Sequence, residues 1–154
     1  MADPFLRIVL VEPEIPPNTG TIGRLCVALN IPLFLVEPLG FSLEDKYLKR
    51  AGLDYWDDLD YSLFPSLEAL KSAFPQGEFW YFTKKSSLTF FEARFSQGDF
   101  LVFGKETAGL PESLLKAHPG RCLSLPMPGK TRSINLSNAV TAAAYEAYRQ
   151  ILFT

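Results

Sequence analysis

The sequence predicts an α/β protein: a mostly parallel sheet flanked by helices. Three observations carry this. Apolar runs of five or six residues, bounded by turn residues, alternate along the chain with segments of helical spacing. The runs are apolar at nearly every position, which marks strands covered on both faces. Polar arrays stand where apolar runs give way to helical segments, the junctions at which open parallel sheets bind ligands. No internal repeat, low-complexity tract or linker interrupts the 154 residues, so one domain over residues 1–154 is expected.

Residues 6–11 (LRIVLV) read as a buried strand. Pro13, Pro16 and Pro17 then exclude regular structure until Asn18, a good helix N-cap. Ile22, Leu25, Cys26 and Leu29 follow at helical spacing and bury one face. Residues 33–36 form a second strand. Residues 42–45 start a short helix whose outer face carries Lys46, Lys49 and Arg50. Residues 55–64 mix aromatics with three acids and give no clear pattern. Ser66 caps a helix through about Phe74, with Leu67, Leu70 and Phe74 inward. Strands are expected over 78–83, 99–103 and 121–125, the last ended by Pro126 and Pro128, with a polar loop over 84–88. Pro111 suits the first turn of a helix reaching Ala117. A final helix runs from Asn135 or Ser137 almost to the C-terminus.

Composition narrows the function. Hydrophobic residues at 47% and charged residues at 21% are ordinary for a soluble globular chain. The start lacks the basic region and long apolar run of a signal peptide, and no apolar stretch is long enough to span a membrane. Cys26 and Cys122 sit among apolar neighbours without metal or redox spacing, as buried thiols of a cytoplasmic protein would. The single His118 stands in a turn and has no matching ligand set, so no metal is expected. A net charge of −2 argues against nonspecific nucleic-acid binding, although local basic groups exist.

The chemistry gathers at three junctions. Asn18, Gly20 and Arg24 surround a helix start, where Arg24 can offer a guanidinium fork to a phosphate. Gly104 ends a strand and Gly109 precedes a helix, permitting close contact with a flat ligand; Glu106 between them can orient a cationic or hydroxyl-bearing ligand. Ser133, Asn135, Ser137 and Asn138 crowd the last helix start, where one residue would suffice as a cap. Behind them lies an alanine-rich face, suited to a close helix neighbour in the same subunit or a second one. There is no Gly-x-Gly-x-x-Gly after the first strand, no Walker-type phosphate loop and no Gly-x-Ser-x-Gly elbow.

Asn18-x-Gly20-x-x-x-Arg24, then Phe103-Gly104-x-Glu106-x-x-Gly109-Leu110, then Leu125-Pro126-Met127 followed by Arg132-Ser133-x-Asn135-Leu136-Ser137-Asn138-Ala139 together resemble the three motifs of the SPOUT, or α/β-knot, RNA methyltransferases. The likeness covers nearly the whole chain. Residues 11–20 and Arg50-Ala51-Gly52-Leu53-Asp54-Tyr55 resemble the small subgroup that 2′-O-methylates the wobble nucleotide of tRNA, cytidine or modified uridine. Ala108 departs from the subgroup, where Arg is frequent, and removes one possible RNA contact.

The resemblance implies a C-terminal trefoil knot, which ordinary topology rules argue against. It implies S-adenosyl-L-methionine as cofactor, held at Phe82 or Thr83, Gly104, Leu125 and Ser133. It implies a homodimer packed through the first and last helices, with tRNA as the substrate. A ribose 2′-hydroxyl would attack the sulfonium methyl in line. The family gives the Arg matching Arg24 a catalytic role; because guanidinium hardly loses its proton, a phosphate clamp is the chemistry expected of it. Asn18 and Asn135 are expected to hydrogen-bond Arg24 or the ribose. Lys46, Lys49, Arg50 and Arg132 are expected to contact RNA, and Tyr145 to reach the substrate in the dimer. Joining two sets of basic residues in one cleft would reconcile an acidic chain with salt-sensitive tRNA binding. The rival readings are a methyltransferase of another RNA such as ribosomal RNA, a noncatalytic RNA-binding module of the same fold, and a metabolic enzyme with a small anionic substrate.

Overall fold

The computed structural model describes residues 3–153, with residues 52–54 described by their backbone alone. Met1, Ala2 and Thr154, and the side chains of Gly52, Leu53 and Asp54 in the subgroup-like segment, therefore lie outside the described residues. Six strands make one sheet: β1 (Leu6–Val11), β2 (Leu33–Val36), β3 (Tyr61–Phe64), β4 (Phe79–Phe82), β5 (Asp99–Phe103) and β6 (Cys122–Leu123). Their order is β3-β2-β1-β5-β4-β6, and every neighbouring pair is parallel. Strand order reverses beside β1, where the chain first builds outward to β3 and then returns to place β5 against β1.

Two apolar layers enclose the sheet, as runs such as those of β1 and β5 require. On one face α1 (Pro16–Leu29) and α5 (Leu136–Phe153) set Ile22, Cys26, Val140, Ala143, Ala144 and Ala147 against Leu6, Ile8, Leu101 and Phe103. The small α5 side chains are wholly buried in this layer, so close packing within one subunit accounts for Ala143, Ala144 and Ala147. On the other face α3 (Leu67–Ala73) and α4 (Glu112–Ala117) set Leu70, Leu114 and Leu115 against Val9, Phe34, Phe100 and Val102. The short α2 (Lys46–Gly52) packs on α1. After β6, at one edge of the sheet, the chain returns to its middle, where α5 touches β1, β5 and α1.

Several local expectations need correction. Helix α1 starts at Pro16 with Ile15 in the capping position, not at Asn18. Two prolines fit its first two positions because the amides they lack have no partner within a helix anyway. The expected start near Ser42 is a turn; Asp45 Oδ1 accepts from the Tyr47 and Leu48 amides and opens α2. Residues 53–58 form a 3-10 helix, and β3 follows as a half-exposed edge strand with no continuous apolar run to announce it. Strand β6 stops at Leu123, two residues short of its expected end, because Ser124 turns to pair with Leu88 and Thr89. Ser66 does cap α3, accepting from the Ala69 amide at 3.0 Å. Both cysteines are buried free thiols, and burial pushes both thiols up from their ordinary values. Among the described residues no helix is long and apolar enough to cross a membrane.

One buried polar node anchors the β4–β5 pair. Asp99 is 4% exposed, and its Oδ2 accepts from Trp80 Nε1 at 2.9 Å and from the Ser96 amide at 2.8 Å. Burial pushes its carboxyl up, while the bonds from Ser96 and Trp80 pull the other way. Asp99→Ala strands two donors and should lower unfolding stability by about 2–4 kcal/mol in urea titration. Asp99→Asn keeps an acceptor oxygen and sheds the buried charge, so the same titration should record less than half that loss.

Candidate active site

Strands β4, β5 and β6 end side by side at Phe82, Phe103 and Leu123, and the loops leaving them enclose a cavity of about 430 Å³. The Phe82 and Phe103 rings stack at 4.5 Å, 15° from parallel, and both line it. This is the crevice beyond the carboxyl ends of parallel strands, where open α/β sheets place ligands. The size suits an organic cofactor rather than an ion.

Each wall has a sequence cause. The loop after β5 folds back so tightly that a Cβ on Gly104 would stand 2.1 Å from the Gly109 carbonyl carbon. No side chain fits there, and Gly109 itself takes a φ of +69°. The loop after β6 runs from Leu125 to Ile134, and among the described residues its backbone enters no backbone–backbone hydrogen bond. The Ser133 carbonyl accepts from the Thr131 hydroxyl at 3.0 Å, and the loop's other backbone groups are open to water or to a polar, flat-ringed ligand. Leu110, Leu123, Leu125, Ile134 and Leu136 add an apolar surface.

The three polar arrays are joined by one chain of hydrogen bonds. Glu106 accepts from the Glu14 amide at 2.8 Å, the Ile15 amide at 3.0 Å and Asn18 Nδ2 at 3.2 Å. Asn18 is 8% exposed, and its Oδ1 accepts from Asn135 Nδ2 at 3.1 Å. Asn135 Oδ1 accepts in turn from the Ser137 amide at 2.8 Å and from the Ser137 hydroxyl, capping α5. A return contact runs from Glu14, whose Oε1 accepts from the Thr107 amide at 3.0 Å and the Thr107 hydroxyl at 2.7 Å. Glu106, expected to orient a ligand, thus spends both carboxylate oxygens on the start of α1. Its place between two glycines was visible in the sequence; its partners, 88 to 92 residues away, were not.

The structure brings seven of the expected site residues to one cavity: Phe82, Thr83, Gly104, Leu125 and Ser133, with Asn18 and Asn135. Ile15, Lys84, Lys85, Lys105, Thr107 and Met127, which had been given no role at the site, also line it. It does not bring Arg24 there. Six residues beyond Asn18, Arg24 is rotated by about 240° around α1, and its guanidinium lies 5.0 Å from the centre of the Tyr55 ring. Asn18 bonds Glu106 and Asn135, and Asn135 bonds Asn18 and Ser137, instead of Arg24, which leaves the ribose as the other expected partner. Lys46, Lys49 and Arg50 are exposed on α2, where Lys46 lies over Tyr47 and Lys49 pairs with Glu44 at 2.9 Å. Arg132 is exposed in the loop before α5. Tyr145, 49% exposed, stands on the outer face of α5. No group of three metal-ligating side chains occurs among the described residues.

Known proteins with this arrangement are informative. The SpoU rRNA Methylase family model matches residues 5–145. A protein of Methylovorus glucosotrophus named tRNA (cytidine(34)-2'-O)-methyltransferase is 47% identical, over 93% of this chain and 94% of its own. A solved structure described as giving insights into the 2-OH methylation of C/U34 on tRNA superposes with a TM-score of 0.90 and 49% identity. It covers 94% of this chain and 95% of that one. The SpoU methyltransferase AviRb from Streptomyces viridochromogenes, solved in complex with the cofactor AdoMet, superposes with a TM-score of 0.81 and 28% identity. That match spans 97% of this chain and 59% of the other.

The Glu14–Thr107 contact gives the site a pH signature. Bonds from the Thr107 hydroxyl and amide, with Lys105 nearby, hold the Glu14 carboxyl below its ordinary value of 4.5. The stability that this shift contributes is fully present above that ordinary value and is lost as pH falls through the depressed folded-state one. Glu14→Gln keeps an acceptor for Thr107 but does not titrate. Its melting temperature should therefore fall less steeply below pH 4.5 than that of the parent.

Proposed function

We propose that this chain, which belongs to the SpoU rRNA methylase family, 2′-O-methylates the ribose of the wobble nucleotide, cytidine or modified uridine, of tRNA anticodons. The single observation that carries the reading is the cavity at the β4–β6 ends, bounded by all three motif loops and matched over nearly the full chain by relatives named for that reaction. The enzyme is read as a single SPOUT domain over residues 1–154, cytoplasmic and independent of metal, with the C-terminal trefoil knot that the family implies.

The cavity fits S-adenosyl-L-methionine. Its open loop backbone can bond an adenine edge, its leucines can cover the ring face, and the bare Cα of Gly104 forms part of the wall. Phe82, Thr83, Gly104, Leu125 and Ser133 would hold it. When bound, this cofactor supplies the methyl group as a sulfonium substituent. The protein's own tasks are then orientation of the ribose and removal of its 2′ proton. Arg24 clamps an RNA phosphate with its guanidinium fork and fixes the nucleotide in line. Asn18 and Asn135, already ordered by Glu106, offer their amides to the ribose. Lys46, Lys49, Arg50 and Arg132 bind the flanking backbone, and Tyr145 meets the substrate.

A homodimer completes the reading. Arg24 and Tyr145 point to solvent on the two adjoining helices, α1 and α5, outside the cavity of their own subunit. Tyr145 and Phe153 are exposed on α5 and flank Tyr148, with ring centres 6.2 and 5.6 Å from it. Such an exposed aromatic row supports a partner surface on α5. Sedimentation at micromolar protein should give a species of twice 17.2 kDa; a monomer that remains fully active would refute the dimeric site.

The activity is tested by transfer of labelled methyl from S-adenosyl-L-methionine to total tRNA from a strain lacking the enzyme. Label should appear in a 2′-O-methyl nucleoside at the wobble position, and Arg24→Ala should lower the rate at least about a hundredfold, the scale of losing a positioned electrostatic group. No label in tRNA despite measurable cofactor binding would point to another RNA. Failure to bind the cofactor would leave only an RNA-binding module.

A further inference from the structure

We infer that Tyr55 is a positioning residue for the reaction: its ring holds the Arg24 guanidinium in place while leaving the charge unpaired. The inference rests on the reading of Arg24 as the phosphate clamp.

The packing beneath this pair begins at Gly23, which is buried on α1. A Cβ there would stand 3.0 Å from Leu59 Cδ2 and 3.0 Å from Trp56 Cζ3, so a larger residue would press on the segment that packs against α1. The turn is held from its other side too. Trp56 stacks on Tyr61 of β3 with ring centres 5.3 Å apart, and the Leu59 amide donates to the Trp56 carbonyl at 3.2 Å. With the backbone fixed by these contacts, the next residue on α1, Arg24, meets the residue before Trp56. Its guanidinium carbon lies 5.0 Å from the Tyr55 ring centre.

The chemistry of the pairing decides what it is for. Lys49, Lys85, Arg121 and Arg149 each hold a carboxylate. Arg24 is exposed and, among the described residues, has no ion pair and no hydrogen bond; the Tyr55 ring is its recorded partner. A carboxylate would fix the side chain equally well, but it would occupy the fork and cancel the charge that a phosphate needs. An aromatic face restrains the cation and leaves its N–H donors available. Tyr55 is 43% exposed, so an RNA strand can approach the pair from solvent.

The test compares Tyr55→Leu, Tyr55→Phe and Arg24→Ala in the methyl-transfer assay, with cofactor affinity, melting temperature and the Arg24 side-chain Nε resonance measured alongside. Tyr55→Leu should lower kcat about fivefold, the scale of one partly exposed cation–π contact. Cofactor affinity and melting temperature should stay at parental values, and the ring-shifted Nε resonance should move toward that of a free arginine. Tyr55→Phe should restore both kcat and the resonance. Parental kcat in Tyr55→Leu beside an inactive Arg24→Ala would overturn the inference alone. So would a loss in Tyr55→Phe equal to that in Tyr55→Leu, or a fall in kcat matched by falls in cofactor affinity and melting temperature. Full activity in Arg24→Ala would remove the clamp reading and this inference with it.

Discussion

The Glu106 carboxylate is the contact on which the rest of the site depends. It sits in the loop after β5 and receives two amides and a side-chain amide from the start of α1. A helix N-terminus leaves its first amides without internal partners and carries a partial positive charge, so an ionised carboxylate there forms bonds stronger than neutral ones. Ile15, in the capping position, has no side chain able to do this work. Glu106 therefore fixes the two residues that lead into α1, and Asn18 in its first turn, from another part of the chain. In doing so it orients Asn18, which orients Asn135, which caps α5. Three loops far apart in sequence are set relative to one another by carboxylate and amide groups with fixed directions.

That polar chain works because the sheet beneath it is rigid. Strands β4, β5 and β6 are parallel and end together, so their loops emerge at one edge without any further device. Apolar layers on both faces leave this edge as the place where backbone groups lack partners. Gly104 then closes the wall in a way no other residue could, since backbone atoms of Gly109 and Leu110 occupy the space of its missing side chain. A cavity walled by apolar side chains and close backbone recognises a ligand by shape and hydrogen-bond direction. It matches a family whose cofactor brings the reactive group with it.

The acidic chain and its proposed RNA substrate are reconciled by how the cations are placed. Lys49, Lys85, Lys105, Arg121 and Arg149 each pair with a carboxylate, whereas Arg24 is held by a ring. Salt bridges on the surface contribute little stability, but they remove positive field where it is not wanted. Among the described residues, Arg24 on α1, Lys46 and Arg50 on α2 and Arg132 in the loop before α5 are exposed cations with no carboxylate partner. On this view affinity for RNA is local rather than global, set by a few placed cations.

The sequence by itself determined the fold class, the order of the strands in the chain and the membership of the three polar arrays. Apolar runs, helical spacing, Ser66 and the glycines at 104 and 109 are local signals, and local physics suffices to read them. It misread the start of α1, where two prolines look like helix breakers yet suit the first turn. It found no strand over residues 61–64, because an edge strand half open to solvent needs no apolar run. The tertiary structure alone decided what the polar residues do. Glu106 came to hold the entry to α1 while lining the cavity, Asn18 and Asn135 became each other's partners, and Arg24 turned toward Tyr55. Each outcome depends on a contact across tens of residues, and a hydrogen bond's partner is set by where the backbone brings two groups together, which no residue's own chemistry specifies.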